Sequence, residues 1–499
     1  MLAVEESLTD NDCDNNCEGK NLVEVYKPTV IQNGNRDSLL IGDQTKKWHW
    51  FLDAAVFTAT IPLLAAGLGM SWPSPVIPKL LSEESPFGRP ITTTEEAWIA
   101  AFTPLGSAIG PLAAGYYADK FGRKKALIAS AVPMIIGFLI TAFAKQVELY
   151  YVARFLVGIG TGSAFTVVPM YIGEIAQTHN RGKYGSSAGI LITIGCTYPF
   201  SVGPYLSITI FSITCAVPLC LFIIVFTVFM PESPYYLAAL GDYDQADKAL
   251  RKLRHKGSDI RAELTEIKQG IEEQNQNSAG IKDLFMAPAG RKALYISVLL
   301  VSLQQLAGIS PLLSYLKPIY LAAGTSISPN ISTLITGAVQ ISSNTACIFM
   351  VERLGRKFLI LNCCVFCFLS MTALGVYFYL KDHNYDVVPI FWLPITCVLI
   401  YMVTFSCGLG PLPWAVMGEI LPSNVKGLAA ALTTTMSFVT ACLVTFLFPI
   451  VNEALGQAAG FWAFAIFCLL GYFFVHFVMF ETKGKTLTEI QRILQRENR

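Results

Sequence analysis

The stretch GEIAQTHNRG at residues 173–182 returns almost intact as GEILPSNVKG at 418–427. Gly173, Glu174 and Ile175 reappear in order as Gly418, Glu419 and Ile420, and the pair Arg181–Gly182 reappears as Lys426–Gly427 at the same spacing. Two further echoes keep the same order. ADKFGRKKAL at 118–127 matches VERLGRKFLI at 351–360, and PESP at 231–234 matches FETK at 480–483 more weakly. The three offsets run from 233 to 249 residues. One such match arises easily by chance. Three in order at a nearly constant offset do not, so the chain reads as two homologous halves.

Composition says what the halves are made of. Hydrophobic residues are 53% and charged residues 14%, and the mean hydropathy is +0.50. That leaves too little polar surface for a soluble protein and points to a polytopic membrane protein with the lipid bilayer as its solvent. A net charge of +1 gives no case for nucleic acid or for a strongly acidic partner. A bilayer core about 30 Å thick needs roughly 20 apolar residues per helix. Twelve stretches fit: 52–72, 98–118, 126–144, 149–172, 186–206, 208–230, 294–316, 331–351, 358–380, 390–412, 429–450 and 460–480. The echoes follow spans two and eight, four and ten, six and twelve. The expected fold is an all-α membrane protein of twelve transmembrane helices in two homologous six-helix halves, inserted in the same direction because six is even.

The cations set the orientation. With both termini cytoplasmic, five of the 36 Lys and Arg (Lys79, Arg89, Lys145, Lys317, Lys381) fall outside, Arg154 falls within a span, and the other 30 lie inside. Short loops agree, DKFGRKK and ERLGRK inward, AAGTSISPN and NEALGQ outward. The expected organisation is a disordered cytoplasmic tail at 1–45, a six-helix half at 46–230, a cytoplasmic linker at 231–293, a second half at 294–480 and a tail at 481–499. The N-terminal tail has no apolar signal-peptide core, so insertion is expected to depend on the first span. In the linker, Asp242-x-x-Gln245 reads as a capping box. Ala246, Leu250 and Leu253, then Ile260, Leu264, Ile267 and Ile271, make apolar stripes at helical spacing; a flexible linker is the alternative.

Most of the thirteen cysteines sit in apolar runs and read as packing residues, Cys364-x-x-Cys367 included. No metal site and no cofactor is expected. Gly158-x-Gly160-x-Gly162 follows no strand and lies within a span, so close helix packing is preferred over a nucleotide loop. Asn330-Ile331-Ser332, at the start of span eight, is a glycosylation sequon on the outer face.

Parallel six-helix halves are the build of a major facilitator transporter. The echoed charges, Asp119, Arg123, Glu174 and Arg181 in one half and Glu352, Arg356, Glu419 and Lys426 in the other, then read as a cytoplasmic gating network that ties the halves together while the site opens outward. Glu232 belongs to the third echo. Anchoring helix ends and setting topology is the plainer reading of the same charges.

These motifs together resemble the sugar porters of the major facilitator superfamily, which include facilitative glucose transporters and insect trehalose transporters. The resemblance runs from about 60 to 490 and rests on GYYADKFGRKK, RFLVGIGTG, PMYIGEIA, PESP, QQLAGI, VERLGRK, GLGPLPW with GEILP, and ETKGK. It implies alternating-access transport of a sugar through a central cavity. It aligns Gln304 and Gln305 with sugar-binding glutamines, Gln340 with a sugar-binding asparagine, Tyr315 with an outer-gate aromatic and Trp414 with the cavity tryptophan. Ser310 stands where the family has an asparagine, and Asn344 is a further candidate one turn from Gln340. Arg154 is placed in the charged network. Chemistry supports amides and an aromatic surface for a sugar, although buried glutamines also serve as glue between helices. Gly308 and Pro311 let span seven break.

The departures are Gly189 for a glutamine, Ser314 for a tyrosine and Ser437-Phe438 for an Asn-Trp pair. They leave a roomier cavity and favour a larger sugar such as trehalose, or another hexose. Proton-coupled relatives carry an acid at about Gly69, whereas no Asp or Glu lies between Ala54 and Ile77. The expected function is therefore a uniporter, with plasma membrane as its location. Proton symport is the alternative. A sugar sensor of this fold is expected to add a long tail, against the 19 residues at 481–499. No span presents a catalytic constellation, so an enzyme is not expected.

Overall fold

The computed structural model describes residues 50–490 except 84, 178–179, 256, 277–284, 286–287, 326, 423–424, 484 and 486–488. For Arg181, Lys183, Ser186, Glu352 and residues 273–276 and 288–289 it describes backbone only. The tail expected at 1–45, and residues 491–499 of the one expected at 481–499, lie outside the described residues.

Among the described residues, eleven helices are long and apolar enough to cross a membrane. In chain order the membrane-type helices are α1 Trp50–Leu80, α2 Thr93–Phe121, α3 Arg123–Phe143, α4 Val147–Ile175, α5 Arg181–Val202, α6 Ile208–Phe229, α7 Gly290–Ala323, α8 Pro329–Leu354, α9 Arg356–Asp382, α10 Val388–Ile420, α11 Lys426–Leu455 and α12 Gln457–Val478. Of these, α5 is the one not counted among the eleven, because its described apolar part is only Ser187–Val202. Several helices outrun the hydropathy pattern. The first was expected to end at 72 and the tenth at 412, but they continue to Leu80 and Ile420 through Pro- and Gly-rich turns.

Those turns are breaks with identifiable causes. Helix α1 is interrupted at Thr60 and Trp72, each followed closely by a proline, Pro62 and Pro73, which cannot donate to the helical ladder. Helix α7 stops at Leu306 and restarts at Ile309. Gly308 between them has φ +94°, and a Cβ there would sit 2.5 Å from the Phe464 ring, so backbone and neighbour both require glycine. A second kink, which the sequence did not announce, falls at Tyr315 (φ −114°, ψ 16°), three residues before Pro318. Helix α10 breaks between Cys407 and Leu412.

The packing repeats with a period of six helices. Helix α1 lies on α5, α2 on α4 and α3 on α6; α7 lies on α11, α8 on α10 and α9 on α12. Across the middle, α2 meets α11 and α5 meets α8. Exchanging every helix for its counterpart six places away maps each of these contacts onto another. One apolar core is built from α1–α6 and a second centres on α7–α12.

The 158–162 glycines pack helices, as read. A Cβ at Gly158 or Gly162 would collide with the Thr103 or Ser107 carbonyl of α2, and Gly160 faces Met134 and Ser130 of α3. In the linker, helices Tyr243–Leu253 and Ile260–Gln276 bury Ala246, Leu250 and Ile267 in a small core of their own. Arg254 follows the first of them and donates to the Ile175 carbonyl at the end of α4, 2.7 Å. The expected capping box is only half formed. Asp242 Oδ1 accepts from the Gln245 N–H (3.1 Å), but the Gln245 side chain returns to the Asp242 carboxylate (2.6 Å), because the Asp242 N–H is taken by Leu237 O. A complete box caps α2, between Thr92 and Glu95. The sequon residue Asn330 lies in the first turn of α8 with Ser332 buried.

Candidate functional site

The polar residues of α7 gather at its break. Gln304 Nε2 donates to Gly410 O in the α10 break (2.7 Å), and Trp414 Nε1 donates to Gln304 Oε1 (3.1 Å). One amide therefore ties the two interrupted helices together and orients the indole. Gln305 Nε2 donates to Ser437 Oγ of α11 (3.3 Å), and Gln305 Oε1 accepts from Ser310 Oγ (2.7 Å). Both glutamines are buried and hydrogen-bonded, as buried amides must be. Phe165 of α4 faces Trp414 at 6.1 Å and Phe438 at 5.6 Å between ring centroids. Tyr315 is buried, stacks on Phe448 at 5.6 Å and donates to Thr445 O (3.4 Å).

Gln340 differs from the others. It is 8% exposed, and its Oε1 is buried without a hydrogen-bond partner, an acceptor waiting for a donor. Asn344 one turn on is already employed: its Nδ2 donates to Gly189 O (3.2 Å) and Thr193 Oγ1 (2.7 Å), bonding α8 to α5. A cavity of about 30 Å³ lies close by, lined among others by Met70, Thr103, Arg154, Ser310, Ser314 and Phe438.

The charged residues cluster at one end. Arg123 pairs with Glu174 (3.0 Å) and more loosely with Asp119 (3.4 Å), and Arg356 pairs with Glu419 (2.9 Å). Every one of these pairs joins helices of the same group of six. Among the described residues none ties the two groups together. Lys426 does not pair with Glu419 but donates to Gly418 O (2.6 Å), and the side chains of Arg181 and Glu352 lie outside the described residues.

The third and weakest echo turns out to be the most literal. Glu232 accepts from the Lys124 N–H (3.0 Å) at the start of α3. Glu481 accepts from the N–H groups of Arg356 (3.1 Å) and Lys357 (3.0 Å) at the start of α9. Both carboxylates answer helix N-terminal donors. Burial works against the charge of Glu481, but its hydrogen bonds from backbone N–H groups hold the carboxyl below its ordinary range. The next residues differ. Ser233 Oγ bonds Glu174, whereas its counterpart Thr482 Oγ1 and the facing Glu419 Oε2 are both buried without partners. Sequence reasoning passed over Ser233, Glu481 and Thr482 as site residues, although the echo placed them in register.

Arg154 does not belong to the charged network. It lies near the opposite end of α4 from Glu174, twenty residues away, or about 30 Å along a helix. Pro73 has no N–H, which leaves Gly69 O without its helical donor, and Arg154 Nη2 supplies one at 2.7 Å. Its Nε donates to Ile99 O (3.3 Å).

Residues 44–494 match the family described as "Sugar (and other) transporter". The chain belongs to this family. It is a multi-pass integral membrane transporter and not an enzyme, with sugar as the substrate class its family implies. This sugar transporter family member is similar to the facilitated trehalose transporter Tret1 of Polypedilum vanderplanki, 32% identical over 95% of this chain and 91% of the relative. It is also similar to Tret1 of Bombyx mori, 31% identical over 93% and 91%. The Drosophila relatives are longer, and the chain spans about half of them, 53% of the Drosophila pseudoobscura pseudoobscura protein at 30% identity. Among solved structures, the proton:xylose symporter XylE bound to 6-bromo-6-deoxy-D-glucose superposes with TM-score 0.73 at 23% identity, covering 90% of this chain and all 100% of that one. The inward-open conformation of XylE from E. coli gives 0.73 at 23%, covering 89% and 99%. At that identity the likeness carries the fold.

Proposed function

We propose that the protein is a facilitative sugar transporter, a uniporter that carries a hexose or a disaccharide such as trehalose across the plasma membrane by alternating access. Two homologous six-helix halves, 46–230 and 294–480, flank the linker 231–293, with both termini cytoplasmic. The observation that carries this reading is the meeting of the two interrupted helices at Gln304. The amides and indole suited to a sugar are bonded to the points where α7 and α10 bend. Rearranging either break then moves the binding groups. Gln304, Gln305, Ser310, Gln340 and Trp414 form the sugar site, Tyr315 its outer gate, and Asn344 holds α8 to α5.

Alternating access is supported by an imbalance between the two ends. At the outer end the halves touch: Lys317 N donates to Ser74 Oγ (3.0 Å), and Trp98 of α2 packs on Phe446 of α11 at 4.4 Å. Toward the charged end, Gly115, Gly173, Gly418 and Gly427 have no heavy atom within 4 Å of where a Cβ would stand. We read this arrangement as closed outside and parted inside. Within each half the pairs Arg123–Glu174 and Arg356–Glu419 stay intact in it, so they brace the halves that move, and opening inward does not require breaking them. Trehalose is favoured by the names of the insect relatives, and uniport by the absence of an acid between Ala54 and Ile77.

The test is uptake of labelled trehalose and glucose into proteoliposomes, with and without an imposed proton gradient. One sugar should enter to equilibrium regardless of the gradient. A gradient-driven overshoot would replace uniport by symport, and entry of neither would remove both sugars as substrates.

A further inference from the structure

Arg154 presents a problem that sugar transport does not solve. It is a full positive charge at 1% exposure inside α4, with its guanidinium 5.1 Å over the Trp72 ring. Nε and Nη2 reach backbone carbonyls, and no carboxylate among the described residues lies within ion-pair distance of it. Carbonyls offer partial charge only. A guanidinium does not escape by giving up its proton, and an uncompensated ion at membrane depth is costly.

Arg154 also lines the cavity of about 30 Å³, roughly the share of one water molecule in the liquid. Its third nitrogen, Nη1, donates to no described residue. The other walls supply little competition. Thr103, Ser107 and Ser310 have spent their hydroxyl protons on Arg154 O (3.2 Å), Thr103 O (2.8 Å) and Gln305 Oε1 (2.7 Å). Ser314 reaches Met70 O only at 3.5 Å, a distance at which a hydroxyl bond is barely made.

We propose that this cavity is a site for one small monovalent inorganic anion, chloride under physiological conditions, held by Arg154 Nη1 and the Ser314 hydroxyl and neutralising the buried guanidinium. The volume admits a halide. Arg154 stands on α4 and Ser314 on α7, so the anion bridges the two groups of helices at the end where α1 and α7 touch. Its binding is tied to that closed arrangement.

The experiment is binding of radiolabelled chloride to the purified full-length protein, without sugar, in sulfate buffer of constant ionic strength. One saturable site per chain is expected, displaced by bromide and not by sulfate or gluconate. R154Q should abolish it. S314V should weaken it about tenfold, the loss of one hydrogen bond to an ion. If R154Q does not fold, bromide quenching of Trp72 reads the same site in the wild-type background. It should saturate, and the saturable part should vanish in W72F. No saturable chloride binding to the wild-type protein, water alone filling the cavity, overturns the proposal, as does undiminished binding by folded R154Q. Because sugar is absent from the assay, its failure leaves the uptake experiment untouched, and the reverse holds.

Discussion

Helices α2 and α4 lie backbone against backbone, whereas their counterparts α8 and α10 meet through side chains, and α10 is broken. In the first pair, Gly106 and Gly110 face carbonyls of α4 while Gly158 and Gly162 face carbonyls of α2. Both helices run unbroken despite internal prolines. In the second pair, Cys347 Sγ donates to Cys407 O (3.4 Å) and Cys407 Sγ to Ser343 O (3.6 Å). Small residues allow the close approach that binds helices tightly in lipid. A seam of thiols and a helix break leaves room to rearrange. The candidate sugar residues Gln304, Gln305, Ser310, Tyr315, Gln340, Asn344 and Trp414 all stand on α7, α8 or α10. We propose that the α2–α4 seam serves as a stiff frame and that α7, α8 and α10 carry the moving groups, the candidate sugar residues among them.

The strongest way to break this comparison is steric. Gly158→Ala places a methyl group on the Thr103 carbonyl and should cost about 3 kcal/mol of stability, while Cys407→Ala in the looser seam should cost about 1 kcal/mol. Thermal unfolding of the two in the same detergent decides, and equal losses would erase the distinction. Next in size, Gln305→Ala strips the partner from Ser310 and Ser437 and should lower sugar uptake about tenfold with the protein still folded. Uptake at the wild-type rate would take α7 out of the sugar site.

The charged ends sharpen the comparison at smaller scale. Ser233→Ala removes a bond to Glu174 and should cost about 1 kcal/mol; Thr482→Val, whose hydroxyl has no partner, should be close to neutral. If calorimetry finds the two equal, the halves are braced alike. The smallest effect concerns Glu481. Its carboxyl is held below the ordinary range in the folded protein, so the stability it contributes is present above the unfolded-state value and is lost as pH falls through the lowered one. Glu481→Gln should therefore be less stable than wild type near neutral pH, and the two should converge in acid. A gap independent of pH would show that the carboxylate's charge is not what the N–H groups of α9 bind.

Much of this was legible beforehand. Apolar runs of membrane length and the three echoes gave the helices, their order and the six-helix period, because lipid forces every backbone polar group into its own helix and so writes length into the sequence. The break at Gly308 was readable from a glycine three residues before Pro311. The kink at Tyr315 and the continuation of α10 to Ile420 were not, since hydropathy cannot tell a bend from an end. The charged motifs could be located in the sequence but not paired: acid and base in echoing positions suggested bridges between halves while the site opens outward, and in the present arrangement proximity in space chooses bonds within each half. Arg154 was assigned to the same network by the family resemblance, yet it lies a helix length away, answering a carbonyl freed by Pro73.

By itself, then, the sequence determined that this is a many-helix membrane transporter built twice over, because hydrophobic length and repeated phrases survive without coordinates. Only the tertiary structure decided which partner each buried charge and amide takes. That choice depends on which helices share a seam and how closely their backbones approach, and a linear pattern of residue types does not specify distances between segments far apart in the chain.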